Sequence, residues 1–377
     1  MGSGDAQTNV DVLLVAYAPS RGAVAEIFST MARDLSEVAR VAVLAPEGLS
    51  TDAAALTADI RFKYSARRPY QAVFGSGWRA HRRAASLRPR VVLLFTQHPL
   101  NIVASVHLRR SRLAMWWHEP LGRGQVTASK AMVYRVHDAV IAPRCFRVLV
   151  AARSVLSNVP ARHQHKTRVV PFATMTEFAT SSGRFAAAPS DILFFGKIAP
   201  YKGLDVLARA LQRLRQEGSQ PMVRLVGTGS LQQSAPLMAA FQAEHPTQVV
   251  HIDEYVPAGD VASAIVSTRL VVLPYMSAAG SSTIAVAGMH SSVIVASRCG
   301  CFEDFLTDEE SALLVTPGDD LELSVALTRA LNDESLRHHI AGGLHAMTES
   351  AFDPDRVAAQ LLDALDVAPV SGTSSKG

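Results

Sequence analysis

The chain alternates short apolar runs with amphipathic helical patterns, and this alternation occurs twice. In the first half, runs such as VDVLLVAY, VAVLAP, RVVLLFTQ and LAMWWH are separated by patterns such as GAVAEIFSTMARDLSEV. After about residue 190 the alternation restarts with DILFFG, LDVLARALQRL, MVRLVG and LVVLPY, and it ends in a pair of helical segments. Such patterns are typical of parallel sheets covered by helices on both faces. The sequence therefore predicts an α/β fold in two halves.

The 377 residues are enough for two domains, each with its own core. The join lies between 171 and 190, in a polar, small-residue stretch flanked by proline. We predict an N-terminal domain over 10–172, a C-terminal domain over 190–352, a helix over 353–367 that packs back on the first domain, and tails at 1–9 and 368–377. No apolar run is long enough to span a membrane and no signal sequence is visible, so we expect a cytosolic protein.

Charge is distributed unevenly along the chain. Between Asp59 and Glu119 there is no acidic residue, whereas this interval holds 12 of the 37 lysines and arginines. The basic 61–112 segment, with Phe74 and Trp78 interleaved, indicates either an ordinary solvated surface or contact with a polyanion. For the second case we expect peripheral contact with the inner face of an anionic membrane. No nucleic-acid-binding module accompanies this charge, so we expect no nucleic-acid partner.

Three cysteines, Cys145, Cys299 and Cys301, are too few for a disulfide framework, and they lack nearby histidines for a zinc site. We interpret them as ordinary small residues and expect neither a metal nor a cofactor.

Ligands of open parallel sheets bind beyond the carboxyl ends of the strands, so a cleft between two such domains is the expected site. The strongest signal there is FFGKIAPYKGLDVL, in which a strand ends at Gly196 and is followed by Lys197, Lys202 and a helix. Two ammonium groups near a helix N-terminus favour a diphosphate. Surface lysines on an ordinary turn are the alternative interpretation.

Two further loops carry weaker signals. Gly227 and Gly229 in GTGS allow close approach of a ligand, although they also suit a plain tight turn. In PYMSAAGSSTIAVAGMH, the hydroxyl-bearing Ser281, Ser282 and Thr283 fall at a predicted helix start, where they either bind an anion or simply cap the helix.

Four residues of the first half are further candidates. His118 and Glu119 follow the run LAMWW, where a histidine can act as a general base or hydrogen-bond donor and a glutamate can orient a hydroxyl. Arg21 and Gly22 precede the first helix, and Gly22 would let that helix N-terminus approach a phosphate.

Together, ILFFGKIAPYKGLDVL, RLVGTGSL, IDEYVPAGDVASAIVSTRLVVLPY and SSTIAVAGMHSSVIVASRCGCFEDFL resemble the C-terminal domain of the retaining glycosyltransferases of family four. APSRGAVAEIFSTMARDL and WWHEPLGRG are similar, more loosely, to the N-terminal domain of that family. The resemblance implies the GT-B fold, with two Rossmann-like domains facing a cleft, and metal-independent transfer from a nucleotide-sugar donor, most often a UDP- or GDP-sugar.

The resemblance also implies roles for individual residues. Lys202 would bind the donor diphosphate, and Lys197 would take the place of the family's usual arginine. His118 would lie near the donor sugar, Gly22 at the phosphate or acceptor edge, and Glu303 at the position of the glutamate in the family's PE turn.

The chain departs from the family in its paired glutamates, because Ala278 and Val286 stand at those positions in the register set by VIVAS. Retaining transfer without an enzymic nucleophile depends mainly on stabilising the leaving diphosphate. Three hypotheses follow: a glycosyltransferase acting on a glycan, glycolipid or secondary metabolite; a non-catalytic homologue that binds a nucleotide or a partner glycosyltransferase; and a GT-B enzyme of changed reaction, such as an epimerase or pseudo-glycosyltransferase.

Overall fold

The computed structural model describes residues 10–18, 22–49, 51, 53–64, 74–118, 128–280 and 282–370, without the side chains of 128–131. The chain divides into two compact units. Unit 1 contains the described residues up to Ala173 together with those from Pro354 onward, and unit 2 runs from Thr174 to Asp353.

Unit 1 is built on a seven-stranded sheet in the order β3-β2-β1-β4-β5-β6-β7, with every pair parallel. Its strands are β1 (Val12–Val15), β2 (Val41–Pro46), β3 (Ala58–Phe62), β4 (Val91–Leu94), β5 (Arg112–Trp116), β6 (Cys145–Val150) and β7 (Thr167–Val169). All residues of β1, β2 and β4 are buried, because helices cover both faces of the sheet.

The helices of unit 1 are α1 (Ala23–Val38), α2 (Ser76–Ser86), α3 (Asn101–His107), α4 (Ala128–Ile141), α5 (Ala161–Gln164) and α14 (Pro354–Ala364). The last of them follows unit 2 in sequence but packs against α1. Asp366, just after α14, forms ion pairs with Arg112 at 2.6 Å and Arg147 at 3.1 Å, which anchors the end of the helix to strands β5 and β6.

Unit 2 is built on a six-stranded parallel sheet in the order β10-β9-β8-β11-β12-β13. Its strands are β8 (Ser190–Phe195), β9 (Val223–Val226), β10 (Val249–Ile252), β11 (Thr268–Leu273), β12 (Ile294–Ser297) and β13 (Leu313–Val315). Its helices are α6 (Leu204–Gln216), α7 (Leu231–Ser234), α8 (Pro236–Glu244), α9 (Ala258–Val266), α10 (Ser282–Met289), α11 (Cys301–Phe305), α12 (Asp320–Asn332) and α13 (Glu334–Ala351).

The expected final pair of helical segments in the second half corresponds to α12 and α13, and the separate helix expected over 353–367 corresponds to α14. Asp333 leaves helical geometry with φ −107° and ψ 103°, and its carboxylate accepts the backbone N–H of Leu336 at 2.8 Å. An aspartate N-cap of this kind ends one helix and starts the next without a visible break in the apolar pattern. None of the helices in the described ranges is long and apolar enough to cross a membrane.

Candidate functional site

In the sheet of unit 2, the order in which the chain adds strands reverses between β8 and β11. From β8 the chain passes through α6 to β9 on one side, whereas β11 lies on the other side and leads to β12. Ligands of open α/β sheets bind beyond the carboxyl ends of strands at such a switch point. The loops 196–203 and 274–280 follow these two strands and therefore flank the candidate site.

The two loops are joined directly through their backbones. The N–H of Met276 donates to the carbonyl of Tyr201 at 2.7 Å. Gly203 has φ +68°, and a Cβ there would overlap the carbonyl oxygen of Pro274. A glycine is required here both for its left-handed backbone and for the close approach of the second loop. These contacts fix the position of Lys202.

The ammonium group of Lys202 lies 3.7 Å from the centre of the Tyr275 ring and 5.1 Å from that of Tyr201. Desolvation lowers the pKa of Lys202, while Tyr201 and Cys301 act in the opposite direction. No carboxylate of the described chain pairs with this ammonium group. Lys202 is half-buried, and a partly desolvated cation without an anionic partner is a site where a bound phosphate would be stabilised.

Lys197 is arranged differently from Lys202. It directly follows Gly196, whose φ is +120°, and its side chain is exposed. Both lysines therefore lie on one loop at the carboxyl edge, one half-buried and one exposed. This pair matches the chemistry expected of a diphosphate site.

The glycines of the GTGS loop bring two segments of the protein itself together. A Cβ at Gly227 would overlap the carbonyl of Gly196, and one at Gly229 would come too close to the carbonyl of Ile198. The N–H of Ile198 also donates to the carbonyl of Thr228 at 2.9 Å. The positive φ values of Gly227 (+141°) and Gly229 (+136°) thus serve the packing of the β9 loop on the β8 loop.

The hydroxyl-rich loop is described in part. Ser281 lies outside the described residues, Ser282 is the half-buried first residue of α10, and Thr283 is buried beside the Tyr275 ring. Thr283 therefore supports the tyrosine beneath Lys202, which sequence reasoning did not anticipate.

The positions that carry glutamates in the resembling family are core positions here. Ala278 is 5% exposed, and its carbonyl accepts the N–H of Cys301 at 2.9 Å. Val286 is 1% exposed inside α10. Glu303, in contrast, is an exposed residue of α11, which follows β12 at the same sheet edge. Cys299, Cys301 and Cys145 are all buried, and they form no disulfide with one another.

In unit 1, His118 follows β5 and is packed among aromatic rings. Its Nε2 donates to the carbonyl of Phe95 at 2.7 Å, and its ring stacks on Phe172 and Trp116 at centroid distances of 5.9 and 6.3 Å. Burial lowers the pKa of His118 to about 4, against the opposing effect of the Phe95 carbonyl. The imidazole is therefore neutral at physiological pH, and Nδ1 carries the lone pair.

Gly22 is the N-cap of α1, with φ +103°, and its carbonyl accepts the N–H of Ala25 at 2.8 Å. A Cβ at Gly22 would meet no described atom within 4 Å. Arg21 and Glu119 lie outside the described residues.

A polar aromatic cluster at the switch point of unit 1, between β1 and β4, was missed by sequence reasoning. The hydroxyl of Tyr17 lies 2.7 Å from Nε2 of His81, and that of Tyr64 lies 3.0 Å from Nε2 of His98. The rings of Tyr17 and His98 stack at 5.3 Å, and burial lowers the pKa of His98 to about 4. The only sequence signal was Tyr17, two residues after β1. Its partners His81 and His98 are distant in sequence and come close only in the folded chain.

Among the described residues, no group of three or more histidine, cysteine, aspartate or glutamate side chains is placed to hold a metal ion.

Known proteins resemble the chain in sequence and in structure. Residues 189–333 match the family model described as "Glycosyl transferases group 1". An MMP alpha-(1->4)-mannosyltransferase from Mycolicibacterium hassiacum is 28% identical over 277 residues, which are 69% of this chain and 63% of that protein. The chain thus spans less than two thirds of the length of this relative.

Solved structures share the whole architecture at low sequence identity. Anabaena HepE in complex with UDP and glucose superposes with a TM-score of 0.75 and 15% identity, over 95% of this chain and 100% of that chain. A sucrose-phosphate synthase from Thermosynechococcus elongatus gives a TM-score of 0.74 and 16% identity over 94% and 98%. The two parallel sheets are thus those of the GT-B fold, and residues 189–333 of unit 2 carry the match to the group 1 glycosyltransferases.

Proposed function

We propose that the chain transfers a sugar, with retention of configuration, from a nucleotide-diphosphate donor to a hydroxyl acceptor. UDP and GDP are the expected nucleotides, and a glycan, glycolipid or secondary metabolite is the expected acceptor. The observation that carries this proposal is the enclosed ammonium group of Lys202, held over Tyr275 at the switch point of unit 2 without a carboxylate partner in the described chain.

In this proposal the diphosphate occupies the edge flanked by the loops 196–203 and 274–280. Lys202 contacts it as a fixed charge, Lys197 closes on it from the exposed side, and Ser282 offers a hydroxyl and backbone N–H groups at the start of α10. Negative charge grows on the diphosphate as the glycosidic bond breaks, so charges fixed in advance lower the barrier.

His118 has a different role in the proposal. Because its Nε2 donates to Phe95 and its pKa is near 4, it acts as a neutral hydrogen-bond acceptor through Nδ1 for a sugar hydroxyl. Gly22, Gly196, Gly227 and Gly229 allow the loop geometry around the ligand, while Arg21, Glu119 and Glu303 orient the acceptor.

The relatives support a nucleotide-sugar donor. HepE was solved with UDP and glucose and with UDP-glucose, and the relative from M. hassiacum is named a mannosyltransferase. Neither of these names assigns the sugar to this chain, because the two proteins share only 15% and 28% identity with it.

A second candidate is a non-catalytic member of the family that binds a nucleotide or a partner glycosyltransferase. The buried Ala278 and Val286 favour it, since both stand where carboxylates would hold the donor sugar and ribose. An altered reaction in the same site, such as epimerisation, rests on the same two residues.

The test is turnover by the purified full chain. UDP- and GDP-sugars are supplied with candidate acceptors, and release of the nucleotide and the products are followed. The proposal expects product or donor hydrolysis that is lost in Lys202→Met and retained in Lys63→Met, a matched change at an exposed lysine of unit 1. Nucleotide binding without turnover would establish the non-catalytic candidate, and a rearranged donor would establish the altered reaction.

A further inference from the structure

The helices α2 and α3 of unit 1 expose large apolar side chains beside unpaired arginines. Phe74 is 68% exposed, Trp78 47% and Val106 58%. Side chains of this size are normally withdrawn from water, and a cluster of them marks an interaction surface. We define the α2–α3 surface as the exposed side of these two helices together with exposed residues next to their ends. It comprises Phe74, Trp78, Arg79, Arg82, Arg83, Val106, Arg109 and Arg110.

The α2–α3 surface is continuous from one helix to the other. The Trp78 ring meets the His107 ring edge-on at a centroid distance of 4.5 Å, and His107 directly follows Val106. On α2, the residues Gly77, Ala80, His81 and Ala84 face the protein interior. The opposite stripe of the helix therefore points outward, and it places Trp78 and Arg82 one turn apart.

The arginines of this surface are free of the pairings found elsewhere in the basic 61–112 segment. Arg61 is bound by Asp59 and Thr51, and Arg112 is bound by Asp366, so these two do not contribute to an open cationic face. The guanidinium groups of Arg79, Arg82, Arg83, Arg109 and Arg110 form no hydrogen bond or ion pair within the described chain.

We propose that the α2–α3 surface binds the anionic face of a phospholipid bilayer, with Phe74, Trp78 and Val106 entering the headgroup region. A short helix with an arginine-rich face and a few bulky apolar side chains has the composition of an interfacial membrane helix. Indole rings favour the membrane interface, and each arginine near an anionic leaflet contributes roughly 1 kcal/mol. The inference is independent of the proposed transfer reaction.

Exposure of the next helix supports the same partner. Right-handed crossovers place α2, α3 and α4 on one face of the sheet, because all three lead towards β4, β5 and β6 in the same direction. On α4, Met132 is 59% exposed and Val136 52%. An extended apolar and cationic layer suits a flat lipid surface.

Binding is tested with the full chain and sedimenting vesicles of phosphatidylcholine, with and without phosphatidylglycerol. The inference expects partition onto the anionic vesicles, little onto neutral ones, and a decrease with added salt. The double variant Arg82→Gln/Arg83→Gln should bind roughly 30-fold more weakly at low salt, from two charges of about 1 kcal/mol each. Its matched control, Arg153→Gln/Arg162→Gln, removes the same charge from exposed positions outside the surface and should bind like the parent chain.

Insertion of the α2–α3 surface into the bilayer can be followed by the fluorescence of Trp78. The other two tryptophans, Trp116 and Trp117, are 0% and 2% exposed. A blue shift of tryptophan emission on anionic vesicles, and quenching by brominated lipid, should therefore arise from Trp78. Both signals should vanish in Trp78→Phe, which keeps an apolar side chain and should keep most of the binding.

Several results would overturn the inference. These are equal binding to neutral and anionic vesicles, no loss in the Arg82/Arg83 variant, and an unchanged tryptophan spectrum on vesicles that do bind the chain. A self-associating chain that becomes monomeric in Trp78→Ala, or one that binds single-stranded nucleic acid but not vesicles, would assign the surface to another partner.

Discussion

The ammonium group of Lys202 sits 3.7 Å from the centre of the Tyr275 ring, and the backbones of their two loops are bonded through Met276 and Tyr201. Tyr275 is 1% exposed, so its ring provides a fixed floor for the charge. The contact joins the strongest sequence motif, FFGKIAPYKG, to the hydroxyl-rich loop that follows β11. The desolvation of the Lys202 ammonium group therefore affects both the stability of the empty protein and its affinity for a bound anion.

Lys202→Met should stabilise the empty protein by about 1 kcal/mol at neutral pH, because it replaces a desolvated, unpaired ammonium with an apolar side chain of similar length. The pKa of Lys202 is lowered on folding, so the unfolded chain binds more protons and the stability of the parent chain rises with pH from that lowered pKa up to about 10.5. The variant should lack this rise. Urea unfolding at neutral and alkaline pH measures both effects, and a variant less stable than the parent would contradict them.

Gly203→Ala should lower the free energy of unfolding by more than about 3 kcal/mol, since the new methyl group overlaps the Pro274 carbonyl in addition to straining the backbone. Gly218 lies just beyond the other end of α6, with φ +85° and no atom within 4 Å of an added Cβ. Gly218→Ala should therefore cost only about 1 kcal/mol for its left-handed backbone. Denaturant titration of the two variants compares them, and equal losses would show that the loops 196–203 and 274–280 are not closely packed.

His118→Gln should reduce the loss of stability in mild acid. The pKa of His118 is about 4 in the folded protein against 6.5 in the unfolded chain, so unfolding takes up a proton between these values and stability rises with pH across that window. The full effect below pH 4 is about 3 kcal/mol. Unfolding free energies at pH 4.5 and 7 give the difference, and His98→Gln, with a similar pKa, is the comparison outside the proposed site. An unchanged difference in His118→Gln would show that its imidazole is charged or solvated.

Leu361→Ala in α14 should destabilise unit 1 by about 2 to 5 kcal/mol, since this side chain is 1% exposed in a helix that packs against α1. All three tryptophans, Trp78, Trp116 and Trp117, belong to unit 1, so their emission reports its unfolding. The emission transition should move to lower denaturant. A transition unaffected by the substitution would mean that α14 is not an integral part of unit 1.

The sequence predicted the α/β class and the positions of the main strands along the chain, because β1, β2, β4, β8 and β11 each contain a continuous apolar run. Strands β3 and β6, which contain Arg61 and Arg147, were not singled out. Those guanidinium groups are satisfied by distant groups, such as Thr51 for Arg61 and Asp366 for Arg147. Partners of this kind form only in the folded chain, and no local pattern reveals them.

In the candidate site, too, contacts between residues distant in sequence could not be predicted from local patterns. Lys197 and Lys202 could be identified from a contiguous motif, but the ring beneath Lys202 comes from a residue 73 positions later in the chain. Gly227 and Gly229 suggested a ligand, whereas in the structure they accommodate the neighbouring loop. Sequence spacing alone cannot distinguish a backbone that approaches a ligand from one that approaches its own chain.

The most direct test of the account is calorimetric titration of the full chain, its Lys202→Met variant and its Lys63→Met control with UDP and with GDP. The account predicts saturable binding of at least one nucleotide to the parent chain and the control, and a loss of about 10-fold to 100-fold in the variant, as expected for a charge-assisted contact worth about 1.5 to 3 kcal/mol. Failure of the parent chain to bind either nucleotide, or equal affinity in Lys202→Met, would contradict it.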